Sequence, residues 1–436
     1  MLIAEAVNSL KHFNDPKLES TLHGALAWYY SEHTHDMPKA VHHGQTALFL
    51  AQANGDYRGQ CVALVKLSLI EWLRGNYTAG QGYAQEAQKV AKISGDLFQE
   101  AHGLYSEALC MKAPGYYKHA NSLLTRARTL LGLCGMAYTV LDYNLMNSQA
   151  EVQRHKSEYV EAHKIHNQIL QKVLGVHNPY QLGFALINIA EIEVFMEVSK
   201  DLIQEKIDAS QAIGKASKNA MLITACDTVQ ADLNLREGDM SSLLFCKCLQ
   251  LAWGNFSAAV TYCLERLGDH SRWEGSENPS SWTTVFLVHS LKANERLGIH
   301  KALQFLGDVF LKVNDEATAI ALFTLALEGF TQMDVHQSRA ECMIRLGDIS
   351  KKNGDLLKAL ELWETARPLF EWSSQVKRVQ DIDERLAGID EEVKEQHRLN
   401  LAQLIELNAP AGKVEELEDD SSEDELEREN IGLVGA

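Results

Sequence analysis

Ala340-Glu341-Cys342-Met343-Ile344-Arg345-Leu346-Gly347 aligns without gaps with His300-Lys301-Ala302-Leu303-Gln304-Phe305-Leu306-Gly307. Both stretches run into a turn, Asn353-Gly354-Asp355 in one and Val313-Asn314-Asp315 in the other. A second block follows, with Ala359, Trp363 and Ala366 matching Ala319, Phe323 and Ala326. A self-similar segment of about 40 residues means an array of supersecondary units.

Working outward, units begin near Thr21, Cys61, Ala101, Tyr143, Gly183, Thr224, Thr261, His300 and Ala340. Position 8 of the unit is small in most copies: Ser68, Ala108, Ala150, Ala190, Ala231, Gly268, Gly307 and Gly347, with Trp28 the exception. Position 20 (Ala40, Gly80, Ala120, Ala162, Ala319, Ala359) and position 27 (Ala47, Ala87, Ala127, Ala209, Ala326, Ala366) are small in several copies. Apolar spacings of three and four dominate, and period-two alternation is absent, so strands are not expected. Each unit therefore reads as two antiparallel helices that approach closely at the small residues. Asp15-Pro16, Asp36 with Pro38, and Asn178-Pro179 have the chemistry of helix starts.

The pattern resembles the tetratricopeptide repeat. Leu306-Gly307-x-x-Phe310, Ala319-x₃-Phe323 and Ala326 carry the likeness best, followed by Leu346-Gly347 with Ala359-x₃-Trp363 and Ala366. The period near 40 is longer than that family's usual unit, and repeats four to six are degenerate, with Leu202 and Leu243 at position 20. The resemblance implies an all-α fold, a right-handed α-solenoid of antiparallel helix pairs. It covers 16–372 as nine repeats. Residues 1–15 read as the orphan helix of a partial repeat, 373–408 as a C-terminal capping helix, and 409–436 as an acidic disordered tail. The half repeat at the start suggests that an ancestral array continued upstream.

Runs such as Glu71-Trp72-Leu73-Arg74-Gly75-Asn76-Tyr77 and Ser338-Arg339-Ala340-Glu341-Cys342 are similar to the C-terminal repeat regions of fungal STAND-type signalling NTPases. That resemblance implies a sensor or docking module and an NTPase partner. The Gly214-Lys215 and Gly412-Lys413 pairs lack the glycine-rich lead-in and the Ser/Thr of a phosphate loop.

Net charge is −18 over 436 residues, and Glu415–Glu429 alone holds ten acids against one arginine. Such a balance argues against nucleic acid and anionic membrane as partners. The start, Met1-Leu2-Ile3-Ala4-Glu5, lacks a signal-peptide pattern, and eight scattered cysteines form no CxxC pair. A cytoplasmic location is expected, with the nucleus as the other option. Ser421 and Ser422, each with an acid three residues on, look like acidophilic kinase sites.

In tetratricopeptide arrays positions 2, 5, 9 and 12 face the concave groove. Position 9 here reads Tyr29, Leu69 and Leu109, then Glu151, Glu191, Asp232, Asp269, Asp308 and Asp348. Six consecutive carboxylates would form a ladder of negative charge that steers a basic protein segment inward. This is the reverse of the family's carboxylate clamp, so chaperone C-terminal tails are poor candidates. The plainer alternative is that these acids are solvated, or hydrogen-bond within the groove. Trp273, at a loop longer than the usual turn, is a second contact candidate; Trp72 reads as core. His33, His35, His42 and His43, and the pair His163 and His166, match no closed metal site, so no cofactor is expected. HExxH and GxSxG patterns are absent, which leaves an enzyme reading little to rest on.

Overall fold

The computed structural model describes residue 5 and residues 15–31, 36–136, 139–175, 178–238, 242–252, 257–273 and 279–408. Twenty helices and no strands occur among them. Eighteen of them fall into nine pairs: α1 (Pro16–Tyr29) with α2 (Met37–Ala53), α3 (Tyr57–Leu73) with α4 (Tyr77–Ser94), and α5 (Leu97–Lys112) with α6 (Tyr117–Leu133). Next come α7 (Val140–His155) with α8 (Tyr159–Leu174), α9 (Pro179–Phe195) with α10 (Lys200–Ser217), and α11 (Ala220–Arg236) with α12 (Ser242–Ala252). The series continues with α13 (Ser257–Trp273) and α14 (Ser281–Ala293), α15 (Arg296–Lys312) and α16 (Glu316–Met333), and α17 (His336–Lys352) and α18 (Leu356–Trp372). The orphan helix expected over 1–15 and the tail with Ser421 and Ser422 lie outside the described residues, apart from Glu5 and Asp15.

Local chemistry sets the helix starts. Asp15 accepts from the amides of Lys17 and Leu18 (both 3.1 Å) with Pro16 in the first turn, and Asn178 accepts from the Gln181 amide at 3.2 Å. These side chains satisfy amides that lack an intrahelical acceptor.

The small residues sit at the closest helix approaches. Ala40, Ala120, Ala162, Ala319 and Ala359 have no exposed surface. A Cβ on Gly307 would lie 2.7 Å from the Phe323 ring, and one on Gly347 would lie 2.6 Å from Trp363. Phe323 and Trp363 are themselves fully buried, so each aromatic ring lies flush against a bare backbone.

The nine pairs do not simply run on. The turns inside repeats two to five meet the turns that follow repeats seven to nine. The Tyr77 hydroxyl donates to Glu295 (2.8 Å), the His336 amide donates to the Lys156 carbonyl (3.1 Å), and the Gln375 side chain donates to the Phe195 carbonyl (3.0 Å). A single apolar core joins α5–α7 to α15–α17, with Tyr117, Leu131, Phe330 and Met333 among its buried members. The solenoid therefore comes round on itself after about four to six repeats and encloses a lumen.

The chain after Ser373, expected as one capping helix, is two: α19 (Val376–Ala387) and α20 (Glu391–Asn408). Gly388, Ile389 and Asp390 interrupt it, and the compact array ends at Ile389. Ile382 on α19 is fully buried, while Arg385 reaches Asp348 of α17 at 2.9 Å. The described residues from Asp390 to Asn408 belong to a separate unit. Among the described residues no helix is long and apolar enough to cross a membrane.

Candidate functional site

The first helices of the repeats line a cavity of about 1820 Å³. One end is aromatic and apolar. Trp28 and Tyr29 of α1, Leu69 and Trp72 of α3, and Phe98 and Tyr105 of α5 form its walls. Trp72, expected in the core, is half-buried and faces the lumen. The middle is amide-rich. Asn188 of α9 donates to the Asn147 side-chain carbonyl of α7 (2.7 Å), and Asn147 donates to Glu151 (3.0 Å). Asn144 is exposed one turn before Ser148.

The other end is ionic, and here the expectation of a free acid ladder fails. Each of its carboxylates is held by a cation of the array itself. Lys112 pairs with Glu151, and Arg154 with Glu191 at 3.2 Å. Asp232 lies 3.0 Å from Arg266 and accepts a short hydrogen bond from the Tyr262 hydroxyl. Arg272 bonds Asp269 at 2.7 Å and also reaches Asp308, whose other oxygen takes Arg345 at 2.7 Å. Asp348 pairs with Arg385. The acids also do not share one surface. Glu151, Glu191 and Asp269 line the lumen; Asp232 is buried and does not line it; Asp308, also buried, and Asp348 line a separate surface hollow.

The pairing is largely periodic. Glu151, Glu191 and Asp308 take the base at position 12 of the preceding repeat (Lys112, Arg154, Arg272), Asp232 and Asp308 the base at position 6 of the following one (Arg266, Arg345), and Asp348 takes Arg385 of α19, while Asp269 is the exception and takes Arg272 of its own helix. Burial opposes ionisation of Glu151 and Asp269, but Lys112 and Arg272 respectively outweigh it and hold both carboxyls below their ordinary range. At Asp232 burial wins over Arg266 and pushes the carboxyl up to about 7. The ladder is a neutralised inter-repeat network, with little field left to attract a basic segment.

Trp273 ends α13, but its side chain and residues 274–278 lie outside the described residues, as do His33 and His35. His43 places Nδ1 2.8 Å from Nδ1 of His23 and stacks on Tyr30; burial lowers its pKa. His163 lies 3.2 Å from Glu193. Glu158, Asp334 and His336 converge within 4.8 Å at the seam between turns, but Lys156 already places its ammonium there, 2.6 Å from Glu158 and 3.1 Å from Asp334.

Three lumen residues escaped the sequence reading: Lys66, Gln99 and His102. One signal was available. Lys66 occupies position 6, the column of Arg266 and Arg345, while position 9 of the repeat before it is Tyr29 and offers no carboxylate.

No protein-family profile matches the chain, and no curated protein matches it. Among solved structures, a Rap protein complexed with competence and sporulation factor superposes with a TM-score of 0.50 at 11% identity, over 76% of this chain and 99% of that one. A STAND protein with a tetratricopeptide repeat sensor from Pyrococcus horikoshii matches with a TM-score of 0.42 at 13% identity, over 78% of this chain and 52% of that one. With its nine helix pairs, the chain has the fold of a tetratricopeptide-like α-solenoid.

Proposed function

We propose that this chain is a non-catalytic interaction module that holds an extended peptide segment of a protein partner inside its lumen. The observation that carries the reading is the lumen itself. At about 1820 Å³ it exceeds the roughly 300–1,000 Å³ of ordinary small-molecule pockets, and it runs from an aromatic wall through an amide-rich middle. Aromatic walls bury apolar side chains, and side-chain amides such as Asn144 match the alternating donors and acceptors of an extended backbone. The Rap structure, complexed with competence and sporulation factor, supports the idea that an array of this fold binds a partner. The partner's charge is not set by the acid ladder, whose carboxylates the array's own cations satisfy.

The test is selection of a displayed random heptapeptide library on the intact chain, followed by binding of the enriched peptides to Asn144→Trp, which fills the lumen from an exposed position. Enrichment, with at least about tenfold weaker binding to the variant at unchanged melting temperature, is the expected result. No enrichment, or equal binding to the filled variant, overturns the reading.

A further inference from the structure

We propose that the aromatic end of the lumen is a carboxylate subsite in which Lys66 pairs with an acidic group of the bound segment. This rests on the lumen being a peptide site, and it gives that ligand a sign opposite to the one the acid ladder suggested.

Among the described residues, Lys66 is the one lumen-lining lysine or arginine with no carboxylate and no hydrogen-bond acceptor. Lys112, Arg154, Arg266, Arg272, Lys301, Arg345 and Arg378 all have carboxylate partners. The repeat geometry explains the exception. Arg266 and Arg345, in the same column as Lys66, each reach back to an aspartate at position 9 of the repeat before. For Lys66 that position is Tyr29. Its ammonium rests instead against the backbone of α1, where a Cβ on Gly24 would stand 3.3 Å from Nζ.

The surroundings suit an anion and supply nothing else to satisfy the charge. His102, one repeat on, feels the Lys66 charge, and burial with that charge lowers its pKa to about 4, so at neutral pH it is uncharged and still offers a ring N–H. Burial alone lowers the Lys66 pKa. Phe98 and Tyr105 flank His102 with ring centroids 6.0 and 6.4 Å away, and Trp28 follows Gly24 by one turn on α1. A half-buried ammonium among aromatic walls is penalised until an anion joins it, and an ion pair formed there is stronger than one in water.

A second, independent group points to the chemistry of the ligand. Gln99 lines the same end, is 3% exposed, and its Oε1 has no hydrogen-bond donor. A buried amide oxygen needs an N–H. A carboxylate carried on a chain that brings an N–H and an apolar side chain satisfies Lys66, Gln99 and the aromatic walls together. An acidic peptide residue and a peptide C-terminus both fit that description.

The heptapeptide selection distinguishes the outcomes when read for composition on the wild type, Lys66→Met and Lys66→Arg. Peptides rich in Asp, Glu or an apolar residue at a free C-terminus are expected on the wild type. Their affinity should fall about tenfold or more on Lys66→Met and stay within about threefold on Lys66→Arg. Synthetic versions with an amidated C-terminus assign the carboxylate to the terminus if binding is lost and to a side chain if it persists. Selected peptides without an acidic group, or an acid preference that survives Lys66→Met, overturn this inference and leave the peptide reading standing. Absence of any enrichment overturns both. Unchanged far-ultraviolet circular dichroism and melting of Lys66→Met separate lost recognition from lost folding.

Discussion

Lys156, in the turn inside repeat four, lies 3.1 Å from Asp334, in the turn between repeats eight and nine. The same ammonium holds Glu158 at 2.6 Å, and the His336 amide donates to the Lys156 carbonyl. Residues far apart in sequence thus close the solenoid into a ring around the lumen. Lys156→Met is expected to leave two carboxylates facing each other at the seam and to cost roughly 1–3 kcal/mol. A double-mutant cycle with Asp334→Asn should show a coupling of roughly 0.5–2 kcal/mol in urea unfolding. Additivity of the two changes would mean that the ring closes without this contact.

The carboxylate ladder makes a graded prediction about stability. Asp308 is 5% exposed and serves both Arg272 and Arg345. Asp308→Asn takes a buried carboxylate away from the buried Arg272, which keeps Asp269, and from the half-buried Arg345, and should cost roughly 3–5 kcal/mol. Asp348 is more than a third exposed and serves only Arg385, so Asp348→Asn should cost under about 1 kcal/mol. Equal effects of the two in denaturant titration would contradict a neutralised internal network.

Position 8 yields a packing prediction with a sign change. Gly347→Ala places a Cβ 2.6 Å from Trp363, which is fully buried and cannot move aside, so a loss of roughly 1–3 kcal/mol is expected. Gly82 and Gly132 lie inside helices with open space around them, and Ala there should stabilise by roughly 0.5–1 kcal/mol. Thermal melts of the three variants test both signs.

These contrasts show what the sequence could reveal. Gly307 against Phe323 and Gly347 against Trp363 recur at a fixed spacing, so helix pairs and their closest approaches were legible in the repeat. The ladder acids were equally visible, but their role was not. Asp308 finds Arg345 a full repeat away, so the pairing shows only when columns of adjacent repeats are read against one another. Ring closure was hidden for a different reason. Tyr77 meets Glu295 through the accumulated rotation of several repeats, a quantity no local pattern carries. The break at Gly388 went unread because the apolar spacing of Ile382, Leu386, Ile389 and Val393 continues across it.

Buried histidines predict how stability depends on pH. His166 is 2% exposed, and burial, partly offset by Glu151, lowers its pKa to about 4; His102 is lowered to about 4, and burial holds His155 well below the ordinary value of 6.5. In the unfolded chain each takes up a proton as pH falls through about 6.5, whereas the folded chain resists until about 4 for His102 and His166. The unfolded state therefore binds more protons in that window. These histidines by themselves should make stability decline from about 6.5 toward 4, by roughly 1–3 kcal/mol for His166, while Asp232, whose carboxyl is raised to about 7, opposes that decline because its folded form takes up the extra proton over the same window. The salt-bridged carboxylates Glu151, Glu265 and Asp269, whose pKa values are lowered, add their own loss only below their unfolded range, under about pH 4.5. Replacing His166 by Gln, which cannot titrate, should flatten the decline between pH 6.5 and 5 while leaving the steeper fall below 4.5 in place. Urea midpoints at half-unit steps of pH would show this, and an unchanged slope in the variant would mean that His166 is already protonated in the folded array.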